Sequence, residues 1–261
     1  MEVHAHTHTA RKKWTHYFWE FLMLFLAVFC GFLAEYQLEH KIERDRAKEF
    51  AKNLYEELKN DSIIVAEKSK NRLKMEKALQ YLKTYYKDSS LTTVSKTFAI
   101  NFHYGCFFRQ PTLFEPKTIV LEQLQNSGSL RYFKSEKLQK LVGDITITIQ
   151  NIKERQAYET DYRKSFIVPL MVNQYDTEFE IERLQFGGKN VFENMLAYES
   201  ADTIIPFRLN SPEKIDRQES ARILNFYGIG YTRGTRTVQF QNYIDVNAAL
   251  LKELRKVYHL K

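Results

Sequence analysis

The segment EFLMLFLAVFCGFLAE, residues 20–35, places fourteen uncharged and mostly large apolar residues between two glutamates. Fourteen residues make about 21 Å of helix, which is shorter than the roughly 30 Å hydrocarbon core of a bilayer. Extension back to Trp14 gives WTHYFWEFLMLFLAVFCGFLA, in which His16 and Glu20 are the only strongly polar residues. This longer segment, residues 14–34, has the length of a transmembrane helix.

Aromatic residues mark both ends of this segment, as they do at the two interfaces of a bilayer. They are Trp14, Tyr17, Phe18 and Trp19 at its start and Tyr36 just after it. Glu20 follows His16 by one helical turn, so the two side chains can pair near the head groups. The sequence therefore predicts an uncleaved membrane span.

Three other interpretations of the segment fit less well. The basic ARKK at 10–13 suits a cleaved export signal, but cleavage after Ala34 would put bulky Phe32 where a small residue is required. A lipoprotein signal meets the same difficulty at Phe29, which precedes Cys30. A buried helix of a soluble protein is the last alternative, and it normally has one polar stripe, which this segment lacks.

The basic residues around the span predict its orientation. Arg11, Lys12 and Lys13 directly precede it, which favours a cytoplasmic N-terminus. Residues 35–54 carry five lysines and arginines, more than the three upstream, and this count favours the opposite orientation. Because basic residues beside a first span tend to dominate, we expect the N-terminus inside and the bulk of the chain outside the cytoplasmic membrane.

Residues 32–104 contain neither glycine nor proline, which is typical of long helices. Apolar residues recur every three or four positions from 35 to 87, so we expect one long amphipathic helix there, or two in line with a break at 60–62. Its face between Glu67 and Lys74 is weakly apolar, which indicates a more solvated stretch.

Further helices are expected along the rest of the chain. A short one follows Pro116 and ends before Gly128, and Ser135 opens a longer one that Pro169 bends or ends. The strand-like alternation of DITITIQ at 144–150 leaves helix or strand open there, with helix favoured by the flanking period.

The last third of the chain is less regular in sequence. We expect a short helix from Val191 to Tyr198, another that begins at Ser211 and Pro212 and ends near one of the glycines at 228–234, and a last one from about Val238 to Tyr258. The predicted fold class is all-α, with one N-terminal transmembrane helix that runs into a long charged helix and a helical-bundle-like domain.

The predicted organisation has four parts. They are a basic, His-rich cytoplasmic tail (1–13), the transmembrane helix (14–34), a long helix that forms a stalk and part of the bundle (35–87), and a helical extramembrane domain (88–261).

Charge and cysteine content exclude some classes of protein. The net charge of +7 comes from 39 basic and 32 acidic residues that are interspersed, and no basic stripe points to nucleic acid. A mild positive excess suits anionic lipid head groups or acidic partners. Two cysteines, Cys30 and Cys106, form no disulfide framework.

No residue pattern in the sequence strongly predicts a catalytic, metal-binding or phosphate-binding site. His4, His6 and His8 lie on one side of an extended chain and are a candidate transition-metal site, although an ordinary polar tail has the same composition. His103 and Cys106 have the i,i+3 spacing of a nucleophilic pair, but such residues in FHYGCFF are more often packing residues. GIGYTRG at 228–234 lacks the spacing of a phosphate loop. We expect no enzymatic activity and no cofactor.

Small residues in the span are candidates for helix packing. Ala27 and Gly31 form a small-xxx-small step, Ala34 follows one turn on, and Glu20 offers a polar contact. We therefore expect a protein partner or self-association through the span and the long helix, in addition to contact with membrane lipids.

Residues 12–61, KKWTHYFWEFLMLFLAVFCGFLAEYQLEHKIERDRAKEFAKNLYEELKND, resemble the N-terminus of a large family of uncharacterised envelope proteins of Bacteroidota. The family shows a short basic tail, one span with an E-x-F-L-type run and a G-F-x-A-E exit into a charged helix. Residues 121–142, LEQLQNSGSLRYFKSEKLQKLV, are similar to its L-x-S-x-G-x-L-R segment. The resemblance covers about half of the chain and implies a single-pass, mainly helical protein with its N-terminus inside, and no activity.

Together these features lead to one functional expectation and one alternative. We expect a membrane-anchored structural or interaction protein in the inner membrane of a bacterium, periplasmic in its bulk, that serves as a subunit or accessory of a larger assembly. The alternative is an extracytoplasmic ligand-sensing module that signals through a partner, because about 13 cytoplasmic residues are too few for an output domain.

Overall fold

The structure is a computed structural model that describes residues 14–175 and 177–260. Those residues form helices joined by short loops, with no strand beyond an isolated bridge between Tyr175 and Leu209. The α-helices are α1 (Trp14–Asp88), α2 (Lys96–Phe102), α3 (Ile119–Asn126), α4 (Glu136–Tyr162), α5 (Val168–Gln174), α6 (Thr177–Arg183), α7 (Val191–Ser200), α8 (Arg217–Phe226) and α9 (Gln241–Tyr258). The all-α prediction is confirmed.

The chain divides into two compact units between Phe50 and Ala51. The first unit contains the part of α1 that is long and apolar enough to cross a membrane, and none of that apolar window is buried in the structure. The second unit, 51–261, contains the rest of α1 and all the later helices.

Helix α1 runs unbroken through residues 60–62, which confirms the single long helix and rules out the alternative with a break there. Asp and Ser favour helix ends because their side chains compete for nearby backbone groups. Here Asp61 instead accepts the Lys117 backbone N–H at 3.0 Å and the Tyr243 hydroxyl at 3.0 Å. Ser62 donates to the Leu58 carbonyl one turn back, at 2.9 Å, which a helix tolerates. For Asp61, hydrogen bonds from distant parts of the chain replace the local ones that would favour a helix end.

Helix α4 begins as predicted, because the Ser135 side chain accepts the Leu138 backbone N–H at 3.3 Å. Residues 144–150 are helical, which resolves the ambiguity of DITITIQ. A π-helical turn, Arg163–Ile167, joins α4 to α5 without a gap, and Pro169 lies in the first turn of α5. Proline has no backbone N–H to donate, and the π-helical turn directly before it is the place where the regular α-helical hydrogen-bond pattern changes.

Helices α7 and α9 match the predicted short and last helices to within about three residues, but the helix between them differs from the prediction. Pro212–Lys214 forms only a 3₁₀ turn, and α8 begins later, where Asp216 caps the Glu219 backbone N–H at 2.9 Å. The chain then stays helical through the glycines at 228–234, because two π-helical stretches, Tyr227–Arg233 and Thr235–Phe240, connect α8 to α9. The predicted helix end at these glycines is therefore wrong.

The core of the second unit is rich in aromatic residues. Leu79 and Leu82 of α1 are buried against a cluster that includes Phe98, Phe102 and Leu224. A second aromatic contact lies between the loop before α3 and the C-terminal helices, and it consists of Phe114, Phe240 and Tyr243. Helix α4 packs against α9. The helices form a bundle because each carries apolar residues at helical intervals and buries that face against its neighbours.

Candidate functional site

The apolar part of α1 is the largest exposed hydrophobic surface of the first unit. Its large side chains are 43–81% exposed from Trp14 to Leu33, with Leu22 partly covered. A buried helix of a soluble protein would be covered by its own chain, so this finding disfavours that interpretation. Contiguous apolar surface of this size marks contact with a membrane or with another protein.

The exposed helix has two different faces. At about 100° per residue, His16, Glu20, Ala27, Gly31 and Ala34 fall within roughly 60° of one another. His16 Nε2 lies 3.1 Å from Glu20 Oε1, and a methyl group added at Gly31 would meet no atom within 4 Å. No contact within the described chain therefore requires glycine at this position.

The opposite face of the same helix is a ladder of phenylalanines. The rings of Phe21 and Phe25 are 6.3 Å apart and those of Phe25 and Phe29 are 5.9 Å apart, both in stacked geometry. Small residues allow another helix to approach closely, whereas a ladder of large rings suits lipid tails.

The other residues singled out by sequence are not assembled into a catalytic pair. His4, His6 and His8 lie outside the described residues. Cys106 is fully buried, and burial raises the pKa of its thiol to about 12, so it stays protonated and unreactive. Both ring nitrogens of His103 hydrogen-bond to other groups, namely the Ala99 carbonyl and the Tyr175–Glu180 pair.

His103 belongs instead to a polar cluster that holds α6 against the π-helical turn His103–Phe107, which directly follows α2. Its Nε2 lies 3.0 Å from the Tyr175 hydroxyl and 3.2 Å from Glu180 Oε2, and Arg183 bonds to the same carboxylate. Burial lowers the pKa of His103 and would raise that of Glu180, but hydrogen bonds from His103, Tyr175 and Arg183 lower the Glu180 pKa to about 2. Arg183 also donates to Asn194 of α7.

A second buried polar cluster centres on an ion pair between α1 and α4. Both terminal nitrogens of Arg72 lie 2.9 Å from the Glu159 carboxylate, and its Nε donates to the Thr112 carbonyl at 3.0 Å. The Thr235 hydroxyl also donates to Glu159. Arg72 is 1% exposed, so the expected solvation of residues 67–74 is wrong at this position. The planar, two-point geometry offsets part of the cost of burying both charges.

A cleft lies between the α4–α5 connection and the start of α8. It encloses about 530 Å³ and is lined by residues of 165–174 and of 210–223. Its walls are fixed by Gln174, which accepts the Tyr86 hydroxyl at 2.5 Å and donates to the Ser220 hydroxyl at 3.0 Å. The Asn210 amide donates to the Tyr175 carbonyl at 2.8 Å. A cleft of this size and polarity can hold a small molecule.

Sequence reasoning missed the cleft and both polar clusters for one reason. Arg72 and Glu159 are 87 residues apart, and His103 and Glu180 are 77 apart. Nothing in the local sequence around these residues indicates such pairs. Ser211 lines the cleft, but the sequence singled it out only as a helix start.

No known protein family, curated protein or solved structure matches the chain.

Proposed function

We propose that this chain is a non-enzymatic, membrane-anchored helical interaction protein of the bacterial cell envelope, a subunit or accessory of a larger membrane assembly. The observation that carries the proposal is the apolar part of α1, which no other part of the described chain covers. Such a surface requires lipid, a partner helix or both.

The proposed topology has the N-terminus in the cytoplasm and the rest of the chain in the periplasm. The support is the basic triplet at 11–13 directly before the span. A reporter enzyme fused after Lys261 is expected to be active only outside the cytoplasmic membrane, and intact mass spectrometry is expected to show the full N-terminus. A mature chain that starts near Glu35 would contradict the anchor, and a C-terminal reporter active only in the cytoplasm would reverse the orientation.

The proposed assembly uses the face of the span that carries Glu20, Ala27, Gly31 and Ala34. Close approach at the small residues and a polar contact at Glu20 would hold a neighbouring helix. The alternative is that the Glu20 carboxylate lies at the level of the lipid head groups and contacts water there, with no role in assembly.

Co-purification of a differently tagged second copy, and of any other protein, tests this face in gently solubilised membranes. Glu20→Gln and Gly31→Leu are expected to reduce the recovered partner, while Phe29→Leu on the opposite face leaves it unchanged. Membrane abundance should stay constant in all three variants, because the insertion cost of a polar residue at position 20 fades toward the helix end and the other two substitutions introduce only an apolar leucine. If the Glu20→Gln/Gly31→Leu variant retains all of its partners, this face of the helix has no role in assembly and the helix only anchors the protein.

A second candidate function is an extracytoplasmic ligand-sensing module that acts through a partner. The polar cleft of about 530 Å³ in the second unit favours it. A small metabolite retained by protein that purifies without partners would support this alternative over the assembly subunit.

A further inference from the structure

An exposed aromatic patch adjoins the cleft. It consists of Tyr162, Phe166, Phe226 and Tyr231, with Tyr162 at ring-centroid distances of 4.7, 5.3 and 5.0 Å from the other three. Phe166 is 41% exposed and Phe226 is 53% exposed, so two rings of the patch face solvent. Two neighbouring rings that face solvent offer a flat apolar surface to a ligand or a partner.

The patch and the cleft form one continuous surface. Phe166 belongs to the patch and also lines the cleft. The Tyr162 hydroxyl donates to the carbonyl of Ile223, another lining residue, at 3.1 Å. A ligand in the cleft can therefore extend onto the aromatic rings.

Hydroxyl and carboxamide groups dominate the polar lining of the cleft. They come from Ser165, Asn173, Asn210, Ser211 and Ser220. Each such group both donates and accepts hydrogen bonds, which suits a ligand with many hydroxyl groups.

Charges at the cleft nearly balance, which disfavours a strongly ionic ligand. Lys214 is one cation, and Asp216 and Glu219 are two anions. Glu219 is in turn held by Arg222, whose nitrogens lie 2.6 and 2.7 Å from its carboxylate oxygens. Asp216 is used to cap α8. An anionic membrane surface or an acidic peptide would require a positive excess that this cleft lacks.

We propose that the cleft and the aromatic patch together bind a neutral oligosaccharide. The apolar C–H face of a sugar ring packs flat on Phe166 or Phe226, while its hydroxyls bond to the carboxamides and hydroxyls of the cleft. This inference does not depend on the membrane anchor, since all of these residues belong to the second unit.

Titration calorimetry on the full-length protein tests the proposal, in a detergent whose head group contains no sugar. The probes are chitotetraose and cellotetraose, with phosphatidylglycerol vesicles and a poly-glutamate peptide as charged competitors. We expect saturable binding of at least one oligosaccharide and no competition from the charged probes.

Three variants and one control locate the site. Phe166→Ala and Phe226→Ala are each expected to weaken binding about fivefold through lost ring contact. Asn173→Ala is expected to weaken it through lost hydrogen bonds, and Ile181→Ala, which removes a 69% exposed side chain on α6, is expected to leave it unchanged. Circular dichroism melts verify that each variant is folded.

Two kinds of result would overturn the proposal. The first is the absence of binding to both oligosaccharides, or their displacement by vesicles or poly-glutamate. The second is oligosaccharide binding that folded Phe166→Ala, Phe226→Ala and Asn173→Ala all leave unaltered. Neither result bears on the membrane topology, which the reporter fusion tests separately.

Discussion

Arg72 and Glu159 form the most buried charge pair among the described residues, at 1% and 3% exposure. Burial of two charges costs free energy that their mutual contacts offset only when every hydrogen bond is made. Here Thr112 and Thr235 supply the additional bonds, and the Phe240 ring lies 4.8 Å from the guanidinium. The pair therefore fixes how α1 and α4 fit together.

We expect Arg72→Met to lower the free energy of unfolding by about 3–5 kcal/mol, because it leaves the Glu159 carboxylate buried without its cation. Arg72→Met/Glu159→Met should recover much of that loss, since an apolar pair of similar volume has no charge to bury. Urea unfolding of the solubilised protein, followed by circular dichroism, gives both values. A double variant no more stable than Arg72→Met would show that the ion pair itself contributes the stability.

Asp61 gives a second prediction at the residue scale, through pH. Burial raises the pKa of Asp61 from 3.8 to about 6, although Tyr243 and Lys117 hydrogen-bond to it. The folded protein thus holds the proton more tightly than the unfolded chain does. This carboxyl group disfavours folding only once it ionises, so its contribution to stability falls as pH rises from about 4 to about 6.

The Asp61→Asn variant removes this titration. Relative to the variant, wild-type protein should lose stability between pH 4 and pH 6 and show a constant difference above pH 7. Urea unfolding at intervals of pH measures the difference in free energy of unfolding. Parallel curves for the two proteins over the whole range would contradict the raised pKa.

At the scale of the element, the π-helical stretches are the unusual feature. A π-helix bonds i to i+5 and is rare, because its wide turns pack less well than an α-helix. Arginines of α4 and its extension donate to carbonyl groups in such turns: Arg155 to Gly230, and Arg163 to Cys106 in the π-helical turn His103–Phe107 that follows α2. Side chains from a neighbouring helix thus help to hold the π turns in place.

Two glycines of the stretch Tyr227–Arg233 provide a matched test of the packing. A Cβ at Gly230 would contact only the Phe226 ring, at 3.7 Å, which is ordinary van der Waals distance. Gly230→Ala should therefore raise the free energy of unfolding by about 0.5–1 kcal/mol, because alanine loses less backbone entropy in a helix. Thermal unfolding measures this gain.

Gly228→Ala is the control, since its Cβ would lie 3.3 Å from Leu79 Cβ on α1. That distance requires α1 or the π stretch to move, so the entropic gain should be cancelled or reversed. Equal stabilisation by both substitutions would mean that the contact between α1 and this stretch is looser than described.

At the scale of the whole molecule, the second unit contains its own hydrophobic core. The buried cluster that includes Leu79, Phe102 and Leu224 lies entirely within 51–261. We expect a fragment of residues 51–261 to be soluble, helical and cooperatively folded without a membrane.

Circular dichroism melts of that fragment test this expectation. Leu79→Ala should destabilise it by about 2–5 kcal/mol, as for other fully buried leucines, and by the same amount in the full-length protein. A fragment that melts without a cooperative transition would show that the second unit depends on the first.

The sequence alone determined the helical class, the apolar segment, the Ser135 cap and the turn at Gly128, whose φ is +65°. These are local properties, set by periodicity, capping and the freedom of glycine from a Cβ clash. Only the tertiary structure decided that α1 continues through Asp61, that the helix continues through Gly228, and that Arg72 is buried. In each case a residue distant in sequence supplies a hydrogen bond or a packing contact that local sequence preferences do not predict.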